Sequence, residues 1–399
     1  MSQAVGVSEE IPRPRKVCFI SPLGYGLYNP ASAYPFGGAE VQFFLLARQL
    51  AEDVKFEVSV LTTVREGNSS EAYGALRVFK RTGQGRLTVP PMMTLMTAAK
   101  LLVGFIKAFL SMARQFRQIG ADVYLHAGAG VEVGAYALLC RLMRKRFTFV
   151  VASSADVSTP HGLVTGPLKW LFPLGVRLAH AVVCRTEDQQ QWLQERYGRR
   201  GVLIRTAHPL PQRQDIHKSY VLWVGRGHPL KQPEVFIGLA ARLREHPFMM
   251  VVAGEEGHSD LLKQLRTQVM TSHNIELREN VPWCEMSQLY EGARLLVNTS
   301  LYEGFPNTFV EAALSATPVI SLSVDPDGIL RKQLIGVCAE GNTDKLYELT
   351  SALLDDPPRM IRLGLSARSY ALQHHGLENA LHRLKDLIGT LTEQPHGAY

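Results

Sequence analysis

Two glutamates that bracket a short loop are the residues of this sequence best suited to chemistry. Glu303 and Glu311 follow an apolar stretch, 293–300, that is typical of a buried strand, and a helix-forming stretch comes after the loop. Between the two acids lie Gly304, Phe305, Pro306, Asn307 and Thr308. With Asn307 as the N-cap, the backbone N–H groups of the helix start would bind a phosphate, and Gly304 would let the backbone approach it. Carboxylates accept hydrogen bonds from hydroxyls, so the pattern predicts a ligand that is part sugar and part phosphate; the alternative is a surface loop with two ordinary acids.

Two cations after the first predicted strand of the second half indicate a diphosphate site. Gly225 and Arg226 end this strand, and Lys231 follows in a short loop before a helix. Parallel sheets bind ligands at this edge, where a guanidinium fork and an ammonium can hold two phosphates. The alternative is a pair of solvated charges. Because cations are unfavourable at a helix start, the pattern favours a bound anion.

A glycine pair stands at the equivalent place in the first half. Gly37 and Gly38 precede the first predicted helix, and Glu40 follows them. Backbone N–H groups of such a pair can approach a ligand oxyanion, although a glycine pair alone is equally typical of a plain turn.

In this order and spacing, the three segments resemble the retaining glycosyltransferases of family 4, which have two Rossmann-like domains (the GT-B fold) and use nucleotide-sugar donors. The resemblance covers nearly the whole chain. It implies that Arg226 and Lys231 bind the donor diphosphate, that Glu311 holds the ribose, and that Glu303 holds sugar hydroxyls.

The resemblance also assigns the surrounding backbone. It places the segment from Gly304 to Thr308 near the sugar and the phosphates, and Gly37 and Gly38 beside the diphosphate on the opposite domain. The segment Val281-Pro282-Trp283 resembles the one that lines the nucleotide base, so Pro282 is a predicted donor-binding residue.

One departure concerns the acceptor side. The family often has a histidine after a first-domain strand, whereas the matching stretch here, 150–156, contains none. Asp156 is the predicted replacement, and Ser154 could bind a donor hydroxyl. His126 and His161 remain alternatives, as does a purely structural role for each of these residues.

We predict metal-independent transfer with no cofactor beyond the donor substrate. The acids of Asp325-Pro326-Asp327 flank a proline and precede a glycine, a pattern that indicates a turn rather than a metal site.

The alternation of strand-like and helix-like segments predicts an α/β fold, with two doubly wound parallel-sheet domains of Rossmann type facing across a cleft. The predicted divisions are a disordered lead-in (1–15), an acceptor-side domain (16–205), a linker (206–218), a donor-binding domain (219–375) and a C-terminal segment (376–399) whose helix packs back on the first domain.

Charge differs between the halves of this 399-residue chain. Residues 1–205 contain 25 Lys and Arg against 14 Asp and Glu, whereas the remainder contains 18 against 22. The basic half is therefore expected to face something anionic. Five scattered cysteines, with Cys18, Cys184 and Cys338 in apolar stretches, predict buried thiols in a reducing compartment. The absence of a signal peptide or spanning segment predicts a cytoplasmic protein.

A long predicted helix, 92–119, suggests a membrane partner. A narrow polar stripe crosses its apolar surface, formed by Thr97, Lys100, Gly104, Lys107, Ser111 and Arg114. Together with the apolar segment 170–174, this helix predicts peripheral binding to anionic lipid on the inner face of the membrane. A lipid-linked or polysaccharide acceptor is therefore expected. The alternative is a core helix with one solvated face.

Other functions were weighed against glycosyl transfer. A sugar-nucleotide epimerase or a phosphorylase could share the fold, but a phosphorylase needs a cofactor-binding lysine or a second phosphate site, and neither is apparent. A non-catalytic nucleotide-sugar-binding protein also remains open. Nucleic acid is not an expected partner, because basic and aromatic residues do not alternate as nucleic-acid binding requires.

Overall fold

A computed structural model describes residues 13–82 (apart from 33, 35, 66 and 68), 95–210, 216–254, 259–332 and 334–393. For residues 30, 95–103, 105 and 259 it describes the backbone alone. The predictions for 1–12, 92–94, 211–215 and 394–399, and for the side chains of Thr97 and Lys100, fall outside this description.

The first sheet is built from the strands between residues 15 and 203, in the order β3-β4-β2-β1-β5-β6-β7-β8. Only the β3–β4 pair is antiparallel among its pairings. Its strands are β1 (Arg15–Ile20), β2 (Phe56–Val64), β3 (Ser70–Tyr73), β4 (Leu76–Thr82), β5 (Val123–Ala127), β6 (Arg146–Val150), β7 (Ala181–Cys184) and β8 (Val202–Leu203).

The second sheet is parallel throughout, with the order β11-β10-β9-β12-β13-β14. Its strands are β9 (Tyr220–Arg226), β10 (Phe248–Ala253), β11 (Ile275–Glu279), β12 (Ala293–Asn298), β13 (Val319–Ser321) and β14 (Gly336–Cys338). Strand order reverses beside β1 in the first sheet and beside β9 in the second, and ligands bind beyond the carboxyl ends at such points.

Helices cover both faces of each sheet, because strands of a parallel sheet need apolar packing on both sides. The helices are α1 (Tyr25–Tyr28), α2 (Gly38–Ala51), α3 (Leu95–Ile119), α4 (Val131–Leu142), α5 (Ala155–Ser158), α6 (Leu171–Leu178), α7 (Glu187–Tyr197), α8 (Pro233–Arg242), α9 (Ser259–Met270), α10 (Met286–Glu291), α11 (Asn307–Leu314), α12 (Thr343–Leu354), α13 (Pro357–His374) and α14 (Leu377–Glu393).

The final helix belongs to the first sheet rather than the second. Leu384 and Ile388 of α14 are buried in one apolar cluster with Val17 and Phe19 of β1. This helix therefore completes a face of the first domain from the far end of the chain.

Several predicted bounds differ from the structure. Strand β1 begins at Arg15, inside the predicted lead-in, because the N–H of Arg15 donates to the carbonyl of Lys55 at 2.9 Å and the residue pairs in register with Phe56 of β2. The helix predicted over 167–180 is shorter, Leu171–Leu178. The antiparallel strand β3 was not predicted, since its four residues alternate in burial but carry few strand-forming side chains.

Two further features concern the membrane and the thiols. None of the helices within the described residues is long and apolar enough to cross a membrane. Cys18, Cys184 and Cys338 are buried thiols without a disulfide partner, as predicted.

Candidate active site

A cavity of about 630 Å³ opens between the two sheets at the carboxyl ends of their strands. This volume lies in the range of small-molecule sites. The predicted residues that line it are Gly37, Gly38, Asp156, Gly225, Arg226, Lys231, Glu303, Gly304, Phe305, Pro306, Asn307, Thr308 and Glu311. Pro282 is the exception: it does not line the cavity, whereas its neighbours Val281 and Trp283 do.

The glycine pair brings the two domains together at the predicted diphosphate site. A Cβ at Gly37 would lie 3.7 Å from Cζ of Arg226, and Asn307 Nδ2 donates to the carbonyl of Gly38 at 2.8 Å. The Gly37 N–H donates to Glu40 Oε2 at 3.0 Å. The glycines shape this part of the wall, and their contact with a ligand oxyanion stays a prediction.

Helix α11 starts without a side-chain cap. The residue before it is Pro306, in extended conformation, and Asn307 is the first helical residue rather than the predicted N-cap. Its amide reaches across to the first domain instead. The first N–H groups of a helix have no intrahelical acceptor, so this end can bind an anion in the cleft.

Lys231 and Glu303 form an ion pair with each other across the cleft floor. Ser300 Oγ donates to Glu303 Oε1 at 2.8 Å, and Thr299 Oγ1 donates to the carbonyl of Lys231 at 2.5 Å. The indole of Trp223 donates to the same Thr299 hydroxyl at 2.9 Å. These bonds hold a cation and a carboxylate side by side at the ends of β9 and β12.

Glu311 is largely buried, with 17% of its side chain exposed. Burial raises the pKa of Glu311 to about 7, although the nearby polar groups of Tyr290 and Trp283 act to lower it. His208 Nδ1 lies 3.6 Å from its Oε1, and burial lowers the pKa of that imidazole to about 4. The carboxyl group can therefore change protonation near neutral pH beside a neutral histidine.

The loop after Glu303 docks on the first domain. Ser154 N–H donates to the carbonyl of Glu303 at 2.8 Å, and Thr206 Oγ1 donates to that of Phe305 at 3.0 Å. A Cβ at Gly304 would lie 2.5 Å from the carbonyl oxygen of Ala152. The backbone at Gly304 therefore lies close to the backbone of the first domain. Gly304 also lines the cavity.

Asp156 anchors its own loop. Its Oδ2 accepts from the N–H groups of Ala152 at 2.9 Å and Ser153 at 3.0 Å, and burial raises its pKa to about 6. Neither alternative histidine lines the cavity; His126 Nδ1 lies 3.2 Å from the carbonyl of Ile20. Asp156 is thus an acidic group on the wall of the first domain, and backbone amides engage its Oδ2.

The Asp325–Asp327 segment forms a short turn at the domain junction. Arg205 Nη1 donates to Asp327 Oδ2 at 2.8 Å, and Asp188 and Asp327 exchange backbone-to-carboxylate hydrogen bonds at 3.1 and 2.9 Å. Across the described part of the chain, no three His, Cys, Asp or Glu side chains cluster to hold a metal ion.

Some residues of the site were not foreseen. Gln42, His208 and Thr206 connect the linker to the cleft, and Arg185 lines it at the end of β7. Only Arg185 carried a usable signal, namely a cation at the carboxyl end of a buried strand. The others depend on contacts between distant segments, which have no local pattern.

Two family models match the chain. The model of Glycosyltransferase Family 4 matches residues 36–210, and the model of Glycosyl transferases group 1 matches residues 210–370. The chain belongs to the group 1 glycosyltransferases. The family predicted from the spacing of the cleft residues is therefore confirmed.

Solved structures of other proteins share the architecture. Sucrose-phosphate synthase from Thermosynechococcus elongatus aligns with a TM-score of 0.73 at 16% identity, covering 95% of this chain and 99% of that one. The HepE protein of Anabaena, solved with UDP and glucose, aligns with a TM-score of 0.69 at 16% identity over 95% and 100%. The predicted GT-B fold is confirmed by these likenesses.

Curated relatives are similar over varying lengths. A D-inositol 3-phosphate glycosyltransferase of Catenulispora acidiphila is 28% identical over 56% of this chain and 60% of its own length. One from Nocardia farcinica is 31% identical over 45% of this chain and 42% of its own length. One from Streptomyces bingchenggensis is 23% identical over 90% of this chain and 86% of its own length. This chain thus matches less than two thirds of the length of the first two.

Proposed function

We propose that this glycosyltransferase retains configuration as it moves a sugar from a nucleotide-diphosphate sugar to an acceptor hydroxyl. The supporting observation is the cleft itself. It joins Arg226 and the Lys231–Glu303 pair to the start of α11 and to Glu311, and the glycine pair faces them from the other domain. A diphosphate flanked by two sets of hydroxyls is complementary to this arrangement.

Each group has a separate task in the transfer. Arg226, Lys231 and the start of α11 stabilise the charge that develops on the departing diphosphate. Glu303 then exchanges its lysine partner for sugar hydroxyls, and Glu311 accepts hydrogen bonds from the ribose. The bond from the anomeric carbon to the diphosphate breaks while the acceptor oxygen attacks the same face, and the proton of the acceptor hydroxyl passes to the departing diphosphate oxygen. Asp156 holds the acceptor-side loop in place, and Ser154 fixes the backbone at Glu303.

The donor and acceptor classes follow from different observations. The solved relative from Anabaena was determined with UDP-glucose, which makes uridine the first base to test. The curated relatives are named for D-inositol 3-phosphate, which makes a phosphorylated polyol one acceptor to test beside lipid-linked and polysaccharide acceptors.

A peripheral membrane partner is part of the proposal. Ile106 and Leu110 of α3 are about half exposed beside exposed Lys107, and Trp170 is 52% exposed. Met112 and Phe116 of the same helix are buried in the core, so only its outer side is available for lipid. Co-sedimentation with anionic vesicles, but not with neutral ones, is expected; equal recovery in both supernatants would remove this partner.

Donor turnover tests the activity. The protein is incubated with a panel of nucleotide sugars and acceptors, and released nucleoside diphosphate is measured. Lys231→Ala and Glu303→Ala are expected to lower kcat by about 10²- to 10³-fold, as loss of a charge-stabilising group does. Lys263→Ala, at an exposed pair outside the cleft, serves as the control. No release with any donor, or full activity in both cleft variants, would contradict the proposal.

Retention and metal independence have their own measurements. The anomeric configuration of the product, read by nuclear magnetic resonance, should match that of the donor. The rate in excess chelator should equal the untreated rate. A product of inverted configuration would refute retention. Activity that is lost with chelator and restored by a divalent cation would refute metal independence.

A further inference from the structure

Arg185 is a buried cation on the cleft wall that the proposed transfer does not use. It follows β7, lines the cavity and is 5% exposed. Its Nη1 donates to the carbonyl of Ile204 at 3.1 Å. Within the described residues, no carboxylate forms an ion pair with it, and burial lowers its pKa to about 10. A buried charge without a counter-charge is costly, so this guanidinium is a candidate anion ligand.

A second buried donor lies next to Arg185, although it does not line the cavity itself. The amide of Gln189 is 1% exposed, and within the described residues its Nε2 has no hydrogen-bond partner. Its Oε1 accepts from the N–H of Arg185 at 2.7 Å, which fixes the orientation of the amide. Nε2 would lie 3.3 Å from a Cβ at Gly304. A guanidinium and an unpartnered amide N–H₂ thus adjoin the loop that carries Glu303.

This pair lies away from the predicted diphosphate. Gly37, which faces Arg226, follows strand β1 along the chain. Strands β5 and β6 separate β1 from β7. Three strand spacings amount to roughly 14 Å. The Glu303–Gly304 loop instead faces Ala152, at the end of β6 next to β7. Arg185 therefore adjoins the sugar side of the cleft.

We propose that Arg185 binds one anionic group of the substrates, a carboxylate or a phosphate, beside the transferred sugar. This inference rests on the proposed function and adds a charge preference to it. The group can belong to the donor, as the carboxylate of a uronic acid, or to the acceptor, as a phosphate or carboxylate near the attacking hydroxyl.

Two matched substrate pairs separate these sources. For the donor, UDP-glucose is compared with UDP-glucuronate, by dissociation constant from tryptophan fluorescence and by kcat/KM. For the acceptor, inositol is compared with D-inositol 3-phosphate by kcat/KM. The anionic member of one pair is expected to be preferred by about 10- to 100-fold, the range for a charged hydrogen bond.

Arg185→Met is expected to abolish that preference while the melting temperature stays equal or rises, because an apolar isostere removes an unpaired buried charge. The matched control is Arg199→Met, since Arg199 Nη1 donates to the carbonyls of Val176, Arg177 and Ala179 at the end of α6. This control should lower the melting temperature and leave the preference intact.

Other results would overturn the inference. It fails if the wild type shows no preference in either pair, or if Arg185→Met keeps the preference. Should that variant not fold, Arg185→Lys must weaken the preference several-fold, and an unchanged preference again refutes it. A donor preference in binding without any nucleotide release would support this site while contradicting the proposed function. No binding or turnover of either donor would count against both.

Discussion

At the scale of single residues, the two glutamates of the cleft have different environments. Glu303 is paired with Lys231 and receives a hydroxyl hydrogen bond, so its charge is balanced within the protein. Among the described residues, Glu311 has a neutral histidine and the Tyr290 and Trp283 side chains as polar neighbours, and no cation pairs with it. Burial without a cation destabilises the ionised form, which is why the pKa of Glu311 is raised to about 7.

This difference predicts a pH dependence of donor binding. Below pH 7 the protonated Glu311 loses acceptor capacity for the ribose, so affinity for a nucleotide sugar should fall as pH drops from 8 to 6. His208 stays neutral there because burial lowers its pKa to about 4, and the pKa of Tyr290 is well above this range. Dissociation constants of a nucleotide sugar, whose diphosphate stays ionised, measure the effect.

The control for this prediction is Glu311→Gln, which should bind weakly and with no pH dependence between 6 and 8. If that variant shows the same pH profile as the wild type, another group is responsible for it.

At the scale of elements, the first domain depends on glycines where helices meet. A Cβ at Gly134 of α4 would lie 2.4 Å from the carbonyl oxygen of Leu171, and one at Gly175 of α6 would lie 2.5 Å from the N of Gly134. The two helix backbones are thus in contact. Because α4 follows the Gly128–Gly130 loop and α6 follows the 160–163 turn, this packing positions the wall that the first domain contributes to the cleft.

Alanine should therefore have opposite effects at two helical glycines. Gly134→Ala is expected to destabilise the protein by about 1–3 kcal/mol, because the added methyl overpacks against backbone. Gly238→Ala, in α8 with nothing within 4 Å of the added Cβ, should stabilise it by about 0.5–1 kcal/mol through helix propensity. Melting temperature and urea unfolding measure both. A stabilised Gly134→Ala would show that α4 and α6 are not in this contact.

At the scale of the whole molecule, charged groups from the two domains meet where the linker begins. Arg205 and Asp188 come from the first domain and Asp327 from the second, and the pairs are at most 3.1 Å apart. The linker adds to this junction, since His208 bridges to Gly376 and Gln42 binds the carbonyl of Ala207. Domain orientation is therefore set by polar contacts around the cleft.

Asp327→Asn should loosen this junction. Asparagine tolerates the left-handed φ of 54° at this position, so the change removes mainly the charge facing Arg205. We expect a loss of about 1–3 kcal/mol in stability and a larger radius of gyration in X-ray scattering. The matched control is Asp344→Asn, which pairs with Arg242 at 2.8 Å in an exposed position and should change stability by less than about 0.5 kcal/mol. Equal effects of the two variants would contradict the role of the junction.

The sequence by itself determined the family, the fold class and most of the cleft. Strand-like apolar segments and the Glu303–Glu311 loop are local patterns, and the position of a loop at a strand end follows from chain order. Asp156 could be placed on the cleft wall by the same reasoning.

Only the tertiary structure decided which atoms meet across the cleft. The pairing of Lys231 with Glu303, the reach of Asn307 to Gly38, and the contact of Gly304 with Ala152 join segments 72 to 269 residues apart or on opposite domains. The Lys231–Glu303 pair depends on β9 and β12 being neighbours in one sheet, and the other two contacts depend on how the two sheets orient. No local spacing encodes either arrangement. For the same reason the buried charge of Arg185 could be recognised only once its surroundings were known: a cation in a sequence has no burial until the chain around it is folded.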